Sequence, residues 1–415
     1  MPFISHDTRD AVSSESRAPG PIAAPSATPS AAPATPLRRL RLNGADRDVL
    51  WLYLCTRLAV LLAAYCTRWL FPADPRTHDA GPVLAVFERW DWNHYLHIAR
   101  DGYFPADSGA WPQPWDNREA FFPGFPLVLR AVHTVMPDWT AAGLLISLVA
   151  GAVAVVALAR IARLRLGHAE GGRRTVLLML LSPCAVFLAV GYTEALFLAF
   201  ALPAWLAAMR RDWPVAALLT ACATTVRVSG LFLAAALAVH FVLTARERGD
   251  RRRLPWLALP ALPPLVYSWY LRARTGDWMA WKHAQERGWY RDFHAPWEAW
   301  NTTWEAAFGH TQTTPYAVMW QAELAGMVVG LALVVLLVRT RRWPEACYIA
   351  LTLWALGTSY WYMSIPRATL LWWPLWTALA LWTLRRPRLM TLYLCVSVPL
   401  SVVVAVTFFS GRWAG

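Results

Sequence analysis

The sequence predicts an all-α integral membrane protein with a bundle of about eleven transmembrane helices. Hydrophobic residues make up 57% of the 415 residues and charged residues only 16%, whereas a soluble domain carries about a quarter charged residues. The apolar residues fall in runs of roughly 17–22 residues, the length of helix that crosses a hydrocarbon core. Arginines lie in the short segments between these runs. One large membrane domain is therefore expected, rather than several soluble ones.

The predicted spans follow the apolar runs in chain order. They cover about 49–70, 139–160, 174–191, 192–209, 213–226, 228–245, 255–272, 318–338, 345–360, 366–384 and 388–409. With this count, the arginine-rich connections all fall on the side of the N-terminal tail, as the positive-inside rule requires. These connections are 160–174, 210–211, 246–253, 339–342 and 385–388. The N-terminus is therefore predicted in the cytoplasm and the C-terminus outside.

The segment Phe121–Met136 is apolar too, but it is excluded from the count. It carries Arg130 and His133, and a span here would move the arginine-rich connection 160–174 to the outside. We expect this segment to be a juxtamembrane helix that lies along the outer face, against the membrane.

The topology leaves two long outer loops, 71–138 and 273–317, which are rich in carboxylates. Residues 71–125 hold eight of the 26 Asp and Glu residues, and the second loop holds five more. Half of the carboxylates therefore lie on the face opposite most of the arginines. Because long loops in a compact protein are often functional, the outer face is where we expect the site.

The remaining composition excludes several classes of protein. Residues 1–37 are rich in Ala, Pro and Ser and are predicted to be a disordered cytoplasmic tail, followed by one membrane domain over 38–415. The six cysteines lie in or beside apolar segments without metal-ligand spacing, so neither disulfides nor a zinc site is expected. The net charge of +13 forms no basic stripe interleaved with exposed aromatics, which excludes a nucleic-acid partner.

The densest group of reactive side chains lies directly after the first span, in Phe87–Tyr103. It contains Glu88, Trp90, Asp91 and His94. Indole faces pack against sugar rings, and carboxylates accept hydrogen bonds from hydroxyls. An amphipathic interfacial helix would also be rich in Trp and Tyr, because these residues concentrate at membrane surfaces. The composition of the segment leaves both interpretations open.

Several short motifs occur in a fixed order between about residues 50 and 300. They are Trp90–Asp91, Ala99-x-x-Gly102–Tyr103, Phe121–Phe122–Pro123, Ser182–Pro183, Tyr192–Thr193–Glu194 and Arg227–Val228–Ser229–Gly230. By their order and their positions relative to the spans, they resemble the PIG-V-like mannosyltransferase family. This family contains the second mannosyltransferase of glycosylphosphatidylinositol assembly and its bacterial relatives.

The resemblance implies a GT-C fold with its active site at the outer surface of the plasma membrane. Such enzymes take a sugar, commonly mannose, from a polyprenyl-phosphate donor and transfer it with inversion to a glycan, glycolipid or protein acceptor. An acidic residue of the first outer loop is the catalytic base, and the matching residue here is Asp91. Since this loop contains no Asp-x-Asp sequence, no divalent metal or other cofactor is firmly implied.

Other candidates for substrate binding lie outside the first loop. A polyprenyl phosphate is already a good leaving group, so its transfer needs cations to hold the phosphate and a carboxylate to take the acceptor proton. Arg227, at the outer end of a span, is predicted to hold the phosphate; the alternative is an arginine that anchors the helix end. Glu194 and Tyr192 stand at the entry to a span. Lys282 is the only lysine, and its segment is either a phosphate-binding or a solvated loop.

The alternative function is a flippase or other transporter of a lipid-linked sugar, which would also be polytopic and rich in Trp. Transporters keep ionisable residues near the bilayer midplane, whereas most of the predicted spans here have an uncharged middle. A non-catalytic scaffold would give no reason for the acidic outer loops. The sequence therefore favours a glycosyltransferase that works among membrane lipids.

Overall fold

The computed structural model describes residues 41–72, 81–105, 117–245 and 251–414. Within these ranges the chain consists of α-helices and short 3₁₀ turns, without a β-strand, and from Asn43 onward it forms one compact unit. The predicted tail at 1–37 lies outside the described residues. The described part of the chain is therefore all-α, as predicted.

We number the helices α1 to α16 in chain order. They are α1 Gly44–Leu70, α2 Asp91–Asp101, α3 Gly124–His133, α4 Trp139–Leu166, α5 Ala169–Leu180, α6 Thr193–Met209, α7 Trp213–Val226, α8 Ser229–Thr244, α9 Leu262–Thr275, α10 Ala280–Trp289, α11 Pro296–Phe308, α12 Thr314–Arg339, α13 Trp343–Gly357, α14 Ile365–Ala368, α15 Trp373–Arg385 and α16 Pro387–Phe409. The 3₁₀ turns are Val83–Phe87, Arg118–Ala120, Ala185–Leu188, Leu254–Ala261 and Thr369–Leu371.

Four of these helices, α1, α4, α12 and α16, are long and apolar enough to cross a membrane. They correspond to the predicted spans 49–70, 139–160, 318–338 and 388–409. Three further apolar helices, α6, α7 and α8, have only 17, 14 and 16 residues, fewer than the about 20 that a full crossing needs. The helices fit a membrane protein, and the number of eleven spans stays a prediction.

Local sequence signals fix where the long helices begin and end. Asn43 and Asp46 form a capping box before α1, in which each side chain accepts the other residue's backbone N–H. Asp138 caps α4 by accepting the N–H of Ala141 at 2.8 Å. The same helix ends at Gly167, whose φ of +80° is the left-handed conformation that glycine tolerates.

Two predicted spans are interrupted rather than continuous. The run at 174–191 is helical only to Leu180, where α5 ends, and it continues as the 3₁₀ turn Ala185–Leu188. Pro183 stands in this break, and the residue before a proline is disfavoured in helical conformation. The run at 366–384 is divided into α14, a 3₁₀ turn and α15, and Pro374 lies in the first turn of α15, where proline is tolerated.

The apolar segment 121–136 forms a helix, α3, but one of its faces is covered by protein. Phe125 and Leu129 are fully buried, and α3 packs against α2, α4 and α7. The contact with α7 is close, because a Cβ on Gly124 would lie 2.5 Å from Thr225 Oγ1. Leu127, on another face, is 61% exposed. The first loop is thus a packed part of the protein, in which α3 supports α2.

Trp92 anchors α2 in the core. Its side chain is 1% exposed and its ring lies between Gly143 of α4 and Gly191, which precedes α6. A Cβ on either glycine would lie 2.5 Å from Trp92 Cζ3, so only glycine fits at these two positions. This packing fixes the beginning of α2, and with it the neighbouring residue Asp91.

Candidate active site

A cavity of about 650 Å³ lies where several helices begin or end. Its wall includes the first residues of α2, α6 and α8, the last residues of α7, the end of α13 and the turn α14. A volume of this size is typical of small-molecule sites. The predicted candidates Trp90, Asp91, Tyr192, Arg227 and Lys282 all line it.

Asp91 enters the cavity from the first turn of α2. Trp90 precedes it with φ +50° and ψ −116°, an uncommon conformation for a residue with a side chain. Strained residues of this kind persist where the surrounding structure holds them, and here the buried ring of Trp92 does so. The Trp90 side chain is 45% exposed, whereas the Asp91 side chain is 23% exposed.

Two arginines and two carboxylates form a network at the base of the cavity. Arg367 donates from Nη1 to Asp91 Oδ2 at 2.7 Å and from Nε to Glu194 Oε1 at 2.5 Å. Arg227 donates from Nη1 to the same Glu194 oxygen and to Thr193 Oγ1, both at 2.6 Å. Glu194 is completely buried, while Arg227 is 24% exposed. Since the four charges cancel in pairs, their burial is compensated.

Aromatic rings hold the central arginine of this network. The Arg367 guanidinium lies 4.8 Å from the ring centroid of Phe187 and 4.7 Å from that of Tyr192, which are cation–π distances. Tyr192 is fixed in turn, because its hydroxyl donates to the backbone oxygen of Arg89 at 2.7 Å. Tyr192 therefore forms part of the cavity wall and packs against the Arg367 guanidinium.

The network sets the protonation of Asp91. Burial raises the pKa of this carboxyl, but the charge and hydrogen bond of Arg367, together with the charges of His94 and Arg227, bring the pKa below its ordinary value of 3.8. Asp91 is therefore a carboxylate at neutral pH. Only Oδ2 accepts a hydrogen bond among the described residues, so Oδ1 is available to a hydroxyl in the cavity.

Three predicted candidates do not line the cavity. Glu194 lies behind its wall, as the buried partner of Arg227 and Arg367. His94 stacks on Phe121 at 4.7 Å and meets Trp289 edge-on at 5.7 Å, so it supports two rings of the wall. Both residues contact side chains that line the cavity.

Glu88 is the third predicted candidate that does not line the cavity. Its carboxylate accepts a hydrogen bond from the Thr140 hydroxyl at 2.7 Å, at the beginning of α4, and the residue is exposed. The prediction that Glu88 binds substrate is therefore not supported by its position. Lys282 does line the cavity, but it forms an ion pair with Glu286, one turn further along α10.

The sequence reasoning missed two cations of the site. Arg367 is the only charged residue between Glu345 and Arg385; an isolated charge in an apolar run is a signal of function, and Arg227 was identified by it. Arg291 lines the cavity, and its buried Nε has no hydrogen-bond partner among the described residues. Arg291 belongs to the Lys282 segment, for which the sequence left a phosphate-binding and a solvated loop open, and no role was assigned to it individually. In the described ranges, no group of three or more His, Cys, Asp or Glu side chains could hold a metal ion.

The all-helical fold with long apolar helices fits a membrane protein, and the charged cavity at its helix ends is a candidate substrate site. Residues 80–246 match the family described as Mannosyltransferase (PIG-V). Over these residues the chain is similar to this family, which confirms the predicted resemblance. The matched segment contains Asp91, Tyr192, Glu194 and Arg227, and it ends before Arg291 and Arg367.

Curated relatives agree with the family match. The chain is 31% identical over 214 residues to GPI alpha-1,6-mannosyltransferase 2 of Mus musculus. The aligned segment covers 48% of this chain and 40% of the relative. The chain is 35% identical over 160 residues to the protein of the same name from Homo sapiens, covering 36% of this chain and 30% of the relative. The chain thus matches less than half the length of these relatives.

Proposed function

We propose that the protein is an inverting glycosyltransferase that moves mannose from a polyprenyl-phosphate donor to an acceptor at the outer face of the plasma membrane. The observation that carries the proposal is the Asp91 carboxylate, which lines a cavity of about 650 Å³ and accepts a hydrogen bond on only one oxygen among the described residues. The similarity to PIG-V mannosyltransferases supports the same reaction class.

In this mechanism Asp91 is the general base. Its Oδ1 accepts the proton of the acceptor hydroxyl while the acceptor oxygen bonds to the anomeric carbon of the sugar. The bond from that carbon to the phosphate oxygen breaks on the opposite side, and polyprenyl phosphate leaves with the electron pair. Because phosphate is a good leaving group, a carboxylate of low pKa is a sufficient base.

Arg227 and Arg291 are the groups that we assign to the donor phosphate. Arg227 lines the cavity and engages Glu194 and Thr193 through Nη1 alone in the described hydrogen bonds. Arg291 lines the same cavity, so two guanidinium groups face the space in which the negatively charged donor phosphate would lie. Guanidinium groups also bind two phosphate oxygens at once.

The apolar lining of the cavity suits the rest of the donor. Phe232 of α8 and Leu371 lie on its wall with Trp354 of α13, which is 59% exposed. An apolar wall with an exposed indole, beside charged groups, fits a ligand that is a lipid at one end and a phosphate at the other. Trp281 and Trp289 of α10 line it as well, and indole faces of this kind pack on sugar rings.

A transporter of lipid-linked sugar is the second candidate, and two residues favour it. Arg57 in α1 is 5% exposed, and its guanidinium has no hydrogen-bond partner in the part of the chain that the structure describes; Glu323 in α12 is 1% exposed. Both helices are long enough to cross a membrane, and ionisable groups inside spans are typical of transporters.

One reconstitution separates the two functions. The purified protein is placed in liposomes with labelled polyprenyl-phosphate mannose and acceptor membranes from cells that lack the protein. A transferase moves the label to the acceptor fraction and releases an equal amount of polyprenyl phosphate. A transporter moves the intact donor across the bilayer, and this result would overturn the proposed function.

A further inference from the structure

We propose that Glu323, a residue outside the cavity wall, is a positioning residue that holds Arg367 against Asp91. The proposal rests on the proposed function. Glu323 lies in α12 and is 1% exposed. Its Oε1 accepts the backbone N–H of Ser364 at 2.7 Å, and its Oε2 accepts that of Ile365 at 2.8 Å.

The segment that Glu323 holds is a sharp turn. Ser364 has φ +67°, in the left-handed region that residues with a Cβ seldom adopt. The following helix, α14, has only four residues, and the first N–H groups of a helix have no acceptor within it. One carboxylate supplies acceptors for two of these groups. It thereby stabilises a conformation that the local sequence disfavours.

A second contact shows how closely α12 approaches the turn. A Cβ on Gly326, three residues after Glu323, would lie 3.0 Å from Ile365 Cγ2 and 3.3 Å from the Pro366 nitrogen. The turn therefore packs against the helix that carries Glu323. Movement of this turn would also displace the backbone of Arg367, which follows Ile365 by two residues.

Arg367 transmits the position of the turn to the reacting carboxylate. It joins Asp91 and Glu194 through bonds of 2.7 and 2.5 Å, and its side chain is 7% exposed. A shift of about 1 Å in a catalytic group costs about 10²-fold in rate. Glu323 thus acts on the chemistry through Arg367, without contact with the substrate.

The effect on Asp91 is measurable as a pH dependence. The charged and titratable groups that face Asp91 are Arg367, Arg227, Arg291, Glu194, Tyr192, His94 and Tyr95. Arg367 makes the largest contribution that lowers the pKa of Asp91. If Arg367 moves away, the pKa rises, and the carboxylate becomes protonated at a higher pH.

Glu323→Gln tests the proposal, because its amide keeps one acceptor and places an NH2 group against the other backbone N–H. We expect kcat to fall by about 10²-fold, with a nearly unchanged KM for polyprenyl-phosphate mannose. In the profile of kcat/KM against pH, the acid limb should move to higher pH by about one unit or more. Glu345→Gln is the matched control, since Glu345 is 2% exposed and ion-paired with Arg342 at 3.1 Å, away from the cavity. It should lower stability and leave the acid limb in place.

A second readout is independent of catalysis. Amide hydrogen exchange of the peptide around Ser364 and Ile365 should be slow in the wild type, faster in Glu323→Gln and unchanged in Glu345→Gln. Unchanged exchange in Glu323→Gln would overturn the positioning role, and so would an acid limb that coincides with that of the wild type. Faster exchange in a protein that transfers no sugar would refute the proposed function and leave the restraint of this turn by Glu323 established.

Discussion

Asp91 and Glu88 lie three residues apart in one loop, but the fold gives their carboxylates different surroundings. Asp91 faces the cavity and is bound by Arg367, whereas Glu88 accepts a hydrogen bond from Thr140 at the beginning of α4. Sequence spacing alone cannot separate them. Their separation comes from the Trp90 turn and from the buried ring of Trp92.

Asp91→Asn should abolish sugar transfer while folding and donor binding remain largely intact. The amide has the same size and forms hydrogen bonds, but it cannot take the proton of the acceptor, which is worth about 10²–10⁴ in rate. Glu88→Gln is the matched control and should cost much less. Near-normal transfer by Asp91→Asn, measured with labelled donor in liposomes, would remove Asp91 from the role of base.

The candidate site was predictable only where its signal was local. Asp91, Tyr192, Glu194 and Arg227 belong to short motifs, and the structure brings all four to one cavity or its wall. Arg367 lies 276 residues from Asp91 along the chain, and no local pattern reports a contact between residues so far apart. The sequence shows that Arg367 is isolated in an apolar run, but it does not show that Arg367 pairs with Asp91.

Arg227→Ala and Arg291→Ala should each weaken donor binding. A hydrogen bond to a charged group contributes about 1.5–3 kcal/mol, so we expect the KM for polyprenyl-phosphate mannose to rise by about 10- to 100-fold. Arg100→Ala is the control, because its side chain is 59% exposed and pairs with Asp101. Wild-type donor affinity in a folded Arg291→Ala variant would assign the phosphate to other groups.

At the scale of helices, the three apolar helices α6, α7 and α8, which are too short to cross a membrane, each begin or end at the cavity. Helix α7 ends at Val226 and α8 begins at Ser229, with Arg227 between them, and α6 begins at Thr193. All four residues line the cavity. Hydropathy predicted the positions of the long apolar helices. It did not predict the breaks at 181–192 and 365–372, because these breaks depend on prolines and on contacts within the site.

Gly191→Ala should destabilise the protein and displace α2. The new methyl group would lie 2.5 Å from the Trp92 ring, and overpacking of a core costs about 1–3 kcal/mol. Thermal unfolding in detergent should show a lower midpoint, together with a loss of transfer activity because Asp91 moves. Gly44→Ala is the control, since nothing lies within 4 Å of its added Cβ. Equal midpoints for the two variants would refute this account of how α2 is anchored.

At the scale of the whole molecule, the described contacts gather the connections into two groups. Asp46 is ion-paired with Arg160 and Arg163, Glu345 is paired with Arg342, and Arg174 donates to the backbone oxygen of Thr383. Every residue in these pairs lies at or near a helix end that the predicted topology assigns to the cytoplasm.

The second group contains the helix ends assigned to the outside. It includes the network of Asp91, Glu194 and Arg367. It also includes the hydrogen bond that the backbone N–H of His294 donates to the backbone oxygen of Thr358 at 2.9 Å. The C-terminal end belongs to it as well, because the Arg89 guanidinium donates to the Phe409 oxygen at 3.5 Å. The first helix begins in one group and the last helix ends in the other, which is the arrangement that the predicted eleven spans would give.

We accordingly expect Ala169 to face the cytoplasm, and Gln312 and Arg412 to face the outside. All three residues are exposed, and each is changed to Cys in a background from which the six native cysteines have been removed. A membrane-impermeant maleimide on intact cells should label positions 312 and 412, whereas position 169 should react only after permeabilisation. Labelling of position 412 together with position 169 on intact cells would imply an even number of spans between these two positions, whereas the predicted topology has nine. In that case the site around Asp91 could not be assigned to the outer face from the arginine distribution.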